Sequence, residues 1–293
     1  MKMFVKCLFA VLFVTVLCVA QDIQELERNA NSGNAQAQYL LGLSYYNGEG
    51  VSKDAEKAFS WFLKSARQEY TQAEFSVGIL YDTGEGVEAD LEEAFRWVEK
   101  AAKKGLGEAE GQLGYMYSNG RGVDRNYEKA VEWYRKSAEK GIDFAQYSLA
   151  YLYSNGYGVE QNNQLAIYWY RKSAAQNYEN SAELLLNLLD SGYGGEEGYT
   201  EAAEVLKKIL ENSEDADLQY KMANKYLVGK GIKADPQMAF YWMKKSANNE
   251  NIDAMYDLAD MYYRGIGTEV DSSWGDYWYD LAEEYDDWYY WGW

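Results

Sequence analysis

Histidine is absent from this 293-residue chain, proline occurs once and cysteine twice, at positions 7 and 18. Without an imidazole there is no base for a Ser-His-Asp or Cys-His nucleophile, and the commonest zinc ligand is missing. Basic residues are the next scarcity. Against 47 Asp and Glu stand 28 Lys and Arg, a formal charge of −19. Such a balance excludes a phosphate-binding role on nucleic acid, which needs Lys and Arg to displace counterions. It also disfavours an anionic membrane surface and attracts cationic partners. No GxxxxGK[ST] loop and no calcium-loop spacing of carboxylates occurs. Neither a cofactor nor a metal site is therefore expected.

Only one long apolar run is present, from Cys7 to Val19, preceded by Lys2 and Lys6 and followed by Ala20 before the polar Gln21. That layout predicts a secretory signal peptide over 1–20, too short to span a bilayer. Its removal takes both cysteines, so the mature chain forms no disulfide. The expected location is secreted or periplasmic, or the endoplasmic reticulum lumen in a eukaryote, with no stable membrane insertion after cleavage.

What the sequence does have is a repeat. Gly-x-Gly pairs stand at Gly48/Gly50, Gly84/Gly86, Gly120/Gly122, Gly156/Gly158, Gly192/Gly194, Gly229/Gly231 and Gly265/Gly267. Tyrosine precedes the first glycine by three at Tyr45, Tyr81, Tyr117, Tyr153, Tyr226 and Tyr262, with Leu189 in the remaining copy. Tryptophan follows the second glycine by eleven at Trp61, Trp97, Trp133, Trp169, Trp242 and Trp278, with Val205 in the same odd copy.

Each copy reads as helix, loop, helix. Ala37, Leu41, Gly42 and Tyr45 form an apolar stripe at helical spacing. The first loop glycine ends that helix in a left-handed cap. Asp54, Asp90, Asn126, Asn162, Asp235 and Asp271 are placed to cap the second helix, and Pro236 follows Asp235 at the first helical position. The second helix is expected to bury its tryptophan. A single unit of this kind cannot bury its apolar face alone, so neighbours must stack.

These residues are similar to the Sel-one-like repeat (SLR) family, relatives of tetratricopeptide repeats. Ala35, Ala37, Leu41, Gly42, Tyr45, Gly48, Gly50, Val51, Asp54, Lys57, Ala58, Trp61, Lys64 and Ala66 match the family pattern in the first copy. The resemblance implies an all-α fold, a right-handed α/α superhelical solenoid of about seven helix-loop-helix repeats of 36 residues. It also implies an adaptor or scaffold role in protein assemblies. The organisation expected is a signal peptide over 1–20, a capping half-repeat over 21–33 and seven repeats over 34–282, the fifth (178–212) degenerate. An aromatic-rich tail over 283–293 ends the chain. Some secreted members carry a disulfide in each repeat and are linked to β-lactam binding; this chain lacks those cysteines, so that activity is not carried over.

Positions opposite the apolar stripe of the first helix vary from copy to copy, as a ligand-shaped surface would. They nominate Tyr39, Tyr46, Phe75, Tyr115, Tyr147, Tyr151, Tyr220 and Tyr256 as an aromatic track on the concave face for a protein or peptide partner. The competing reading is that these rings merely pack between successive first helices. A second class of function also stands: a carboxylate-based hydrolase or glycan-binding protein, its aromatics stacking on sugar rings and two acids facing across the groove. The tail from Tyr285 to Trp293 has six aromatics in nine residues. It is expected either to cover the last helix pair or to dock, with self-association through it as a further option.

Overall fold

The computed structural model describes residues 23–178, 180–189, 195–229 and 232–291. The expected signal peptide and the loop glycines at 192, 194 and 231 lie outside them. Among the described residues there are fifteen helices and no strand. Contacts divide the chain into two compact units, residues 1–152 with 156–160, and residues 153–155 with 161–293.

In the first unit, α1 (Ile23–Asn31) packs on α2 (Ala35–Asn47). Three helix pairs follow in register: α2 with α3 (Ala55–Ala66), α4 (Thr71–Thr83) with α5 (Leu91–Lys103), and α6 (Gly107–Asn119) with α7 (Tyr127–Glu139). Helix α3 also packs on α4, and α5 on α6. Helix α8 (Asp143–Asn155) opens the fourth repeat. The second unit holds α9 (Asn163–Ala174), α10 (Ser181–Leu189) and α11 (Gly195–Glu211). Its last two pairs are α12 (Ala216–Val228) with α13 (Pro236–Asn248), and α14 (Ile252–Arg264) with α15 (Ser272–Trp291).

The loop chemistry is local and repeats faithfully. Gly48, Gly84, Gly120, Gly156, Gly229 and Gly265 each cap a first helix in the left-handed conformation. Three residues into the second helix, a backbone N–H donates to the side chain of Asp54, Asp90, Asn126, Asn162, Asp235 or Asp271, at 2.9–3.1 Å. The same capping residue donates its own N–H to the carbonyl of the repeat tyrosine, Asp54 to Tyr45 at 2.8 Å and Asn126 to Tyr117 at 2.8 Å. The loop is closed at both ends.

The second loop glycine has a different task. A Cβ on Gly86 would overlap the carbonyl oxygen of Ala55, and one on Gly122 that of Leu91. Each loop thus rests directly on the backbone of the preceding repeat, and a side chain there would hold two repeats apart.

Tryptophan burial departs from expectation. Trp169, Trp242 and Trp278 are buried, whereas Trp61, Trp97 and Trp133 are only partly so. The core slot in the first three repeats belongs to the residue after the tryptophan. Phe62, Val98 and Tyr134 press on the small residues Gly42, Gly78 and Gly114, with Phe62 2.6 Å from where a Cβ on Gly42 would stand. One residue is a 100° turn of the helix, enough to swing the tryptophan towards the rim. There its own helix covers it: Lys64 lies 3.7 Å from the Trp61 ring centre and Lys136 3.8 Å from that of Trp133.

Buried polar groups fasten the pairs. Ser65, Ser137 and Ser246 donate to the carbonyls of Ala35, Gly107 and Ala216 at 2.6–2.7 Å, tying second helix to first. Gln38, Gln146 and Gln219 reach back to Ala30, Ala138 and Leu210 of the helix before. In two repeats the glutamine is a buried glutamate, Glu74 met by Lys100 and Lys104 at 2.8 Å, Glu110 by Lys140 at 2.6 Å.

Candidate partner-binding site

The first helices α2, α4 and α6 are each sandwiched between their own second helix and the helix before, which leaves them little free face. Leu43, Tyr46, Phe75 and Ile79 are accordingly buried. Tyr39 is half-buried, its ring 5.6 Å from Phe62 and 5.2 Å from Tyr70, and burial pushes its phenol up to about 12.

Slots 46 and 49 of successive repeats face each other across the junctions of the first unit, and at two of them they bond. Tyr46 donates to the Glu85 carboxylate at 2.9 Å. Burial first, and then that carboxylate, raises the Tyr46 phenol above its ordinary range. At the next junction Arg121 donates from Nε to the Asp82 carboxylate at 2.5 Å and from a terminal nitrogen to the Asp82 carbonyl at 2.9 Å. At the third, the same two slots hold Ser118 and Tyr157.

That third junction opens into a cavity of about 380 Å³. Tyr115, Tyr127, Tyr134, Tyr147, Tyr151 and Tyr157 line it, with Ser118, Asn119, Ser148 and Leu152, and none of these carries a formal charge. Tyr134 forms the floor, 3% exposed. Burial pushes its phenol up to about 12, while the hydroxyls of Ser118 and Ser148 pull the other way. Tyr127 and Tyr157 stack at 5.2 Å, Tyr151 leans on Tyr157 at 6.0 Å, and Tyr151 stands 44% exposed at the mouth. Burial also raises the Tyr147 phenol. The wall is amphipathic: flat rings for contact area, hydroxyls for direction.

Of the eight nominated residues, the structure gathers Tyr115, Tyr147 and Tyr151 in this cavity and sets Tyr39, Tyr46 and Phe75 in or near the packed core of the first unit. In the second unit Tyr220 lines a separate cavity of about 370 Å³ with Leu186, Lys221 and Lys225, and donates to Asp257 at 2.8 Å. Tyr256 meets Tyr279 edge to face at 5.4 Å. Sequence reasoning missed Tyr127, Tyr134 and Tyr157. The signal available was Tyr157 itself, an aromatic in a loop slot that holds Glu49, Glu85 and Arg121 in the three copies before it.

Among the described residues no cluster of three or more acids is disposed to hold a metal ion, and no helix is long and apolar enough to cross a membrane. Stacked helix pairs with an uncharged tyrosine-lined cavity between two of them define a helical-repeat binding protein of the solenoid class. The chain belongs to the Sel1 repeat family: the Sel1 repeat model matches residues 35–70, 71–106, 107–142, 143–178, 216–251 and 252–284. The unmatched stretch between 178 and 216 is the copy with Leu189 and Val205 in the signature tyrosine and tryptophan positions. Members of this family are protein-interaction scaffolds.

Among solved structures, the chain is similar to a protective antigen of uropathogenic Escherichia coli strains displaying an SLR fold, at 33% identity and a TM-score of 0.72. That match covers 89% of this chain and 56% of the antigen. A Sel1 repeat protein from Oxalobacter formigenes matches at 31% identity and a TM-score of 0.50 over 85% of each chain. A 46-residue stretch is 50% identical to the ERAD-associated E3 ubiquitin-protein ligase component HRD3A of Arabidopsis thaliana, 15% of this chain and 7% of that one.

Proposed function

We propose that the protein is a non-enzymatic scaffold, exported through a signal peptide over 1–20, that holds a partner protein or peptide at the tyrosine-lined cavity between its third and fourth repeats. The observation that carries this reading is the contrast between junctions. Two of them close with a bridging pair, Tyr46 with Glu85 and Asp82 with Arg121, and the third leaves an uncharged, ring-lined hollow. Tyrosines presented on rigid helices lose little entropy on binding and offer both area and hydrogen bonds. The remaining aromatic candidates, Tyr39, Tyr46, Phe75, Tyr220 and Tyr256, are proposed as support or as secondary contacts of the same kind of partner.

A photoreactive benzoyl-phenylalanine in place of Tyr151 is expected to crosslink a defined partner in extracts of the source cells. The triple change Tyr115→Ala, Tyr147→Ala, Tyr151→Ala, with the photoprobe moved to Asn119, is expected to abolish that crosslink while the melting temperature falls by only a few degrees. Unfolding of the triple variant would assign these rings to packing and overturn the reading.

A further inference from the structure

We infer that the exposed face of the last helix, α15, is a second docking surface, which takes a lysine- or arginine-bearing segment of a partner. The chain's own repeats show the contact this face is built to receive. In the first and third repeats a lysine sits on the signature tyrosine, and in five repeats one sits on the signature tryptophan. Lys57 lies over Tyr45 at 5.3 Å and Lys129 over Tyr117 at 5.0 Å. On the tryptophans sit Lys64, Lys100, Lys136, Lys172 and Lys245, at 3.7–5.5 Å. In the last repeat the first of these lysine slots holds Trp274 and the second Leu281. Trp274 stacks on the signature ring Tyr262 at 6.2 Å, in the place of the cation. The face has lost the lysines of its own helix and gained an indole, over which Lys244 of α13 stands at 5.9 Å.

The surroundings carry the complementary charge. Residues 250–293 contain twelve acids and one base, a net −11 of the chain's −19. The one base, Arg264, is bonded to Asp260 at 2.9 Å. At 100° per residue, Trp274, Tyr277 and Leu281 form one stripe of α15, and Asp276, Asp280 and Glu283 form the stripe beside it. Trp274, Tyr277, Asp276, Asp280 and Glu283 are all exposed. The phenols nearby register the field. Tyr263 is raised, first through its bond to Asp276 and then through burial and the charges of Asp276 and Asp280, and Tyr285 is raised chiefly by Glu250. An aromatic stripe flanked by carboxylates suits an ammonium or guanidinium on a flexible apolar stem, which can lie on the rings while its charge meets the acids.

The test restores the repeat's own pattern. Trp274→Lys with Leu281→Lys gives the face the pair of cations that the first and third repeats carry, Lys57 with Lys64 and Lys129 with Lys136; the other repeats keep only the second lysine. Binding of a fluorescent octalysine peptide to the full chain is followed at low and moderate salt, with an octaglutamate peptide as the reference. The double lysine variant is expected to bind octalysine about tenfold or more weakly, the sum of several exposed ionic contacts. A control with the same charge change elsewhere, Glu49→Gln with Glu88→Gln, is expected to stay within about twofold of the parent. The triple alanine change in the tyrosine cavity is expected to leave octalysine binding intact, so failure here and failure of the cavity reading are separable. Equal losses in the two charge variants would reduce the effect to bulk charge and overturn the proposal. So would octalysine binding no tighter than octaglutamate. A lysine variant that changes only sedimentation, with peptide affinity unmoved, would give the face to a second copy of this chain and likewise end it.

Discussion

Tyr134 shows how one side chain serves both fold and site. It fills the slot opposed to Gly114, within 2.8 Å of where a Cβ would stand, and its hydroxyl reaches the cavity floor beside Ser118. Its phenol is raised from 10.0 to about 12 by burial. The folded value lies above the unfolded one, so the fold holds the protonated form. The contribution is whole below pH 10 and drains away as pH rises from there through about 12. Two units correspond to about 3 kcal/mol. In urea unfolding Tyr134 is therefore expected to supply a loss of that order between pH 9 and pH 12, on top of the share from the other raised phenols such as Tyr39. The loss should shrink markedly in Tyr134→Phe, which keeps the ring and has no proton to release; an equal loss in both would place the alkaline sensitivity elsewhere. Tyr134→Ala is expected to cost more, about 3–5 kcal/mol, because it empties a core slot.

At the scale of the elements, the loops were legible and the faces were not. A glycine cap and an Asp or Asn cap depend on the backbone a few residues away, so the spacing of Gly48, Asp54 and their equivalents was enough to place both helix ends. The face a residue shows depends on which helices arrive from neighbouring repeats. The stripe of Ala37, Leu41, Gly42 and Tyr45 described one contact of α2, and nothing local revealed that Leu43 and Tyr46 would be covered as well. The tryptophan carried the same ambiguity, since a large ring at a rim and one in a core leave the same periodicity. The second loop glycine gave its place but not its reason. Its reason is testable. Gly86 has φ +75° and no room for a Cβ against Ala55, so Gly86→Ala is expected to lose about 3 kcal/mol from strain plus separation of two repeats. Gly33 has φ +97° and open space around it, so Gly33→Ala is expected to lose only about 1 kcal/mol. Denaturant titration of the two variants separates conformational strain from stacking; equal losses would mean that the second glycine does not mediate the stack.

For the molecule as a whole, stability is close to a sum of repeat and neighbour terms, and the fifth repeat contributes least. It has Val205 where others have tryptophan, Ile209 where Ser65, Ser137 and Ser246 tie their helix pairs, and Gly198, inside α11, in the register position of the Asp and Asn caps. Its core is aliphatic, with Leu185, Leu186, Leu206 and Leu210 fully buried. Native-state hydrogen exchange is expected to show the lowest protection across α10 and α11, by tenfold or more against α6 and α7. Uniform protection along the chain would show that the missing serine, tryptophan and cap are compensated. The six matched repeats were readable from register alone. The cavity was not, because it exists only where slots 118 and 157, thirty-nine positions apart, come together.

Those two slots have a consequence for how such a chain diversifies. They line one junction from its two sides, yet neither the caps nor the serine ties nor the stacking glycines pass through them. A copied repeat therefore arrives with its folding instructions complete and one blank pair at its edge. Two codon changes suffice to write a clasp there, as with aspartate and arginine, or to leave an opening, as with serine and tyrosine.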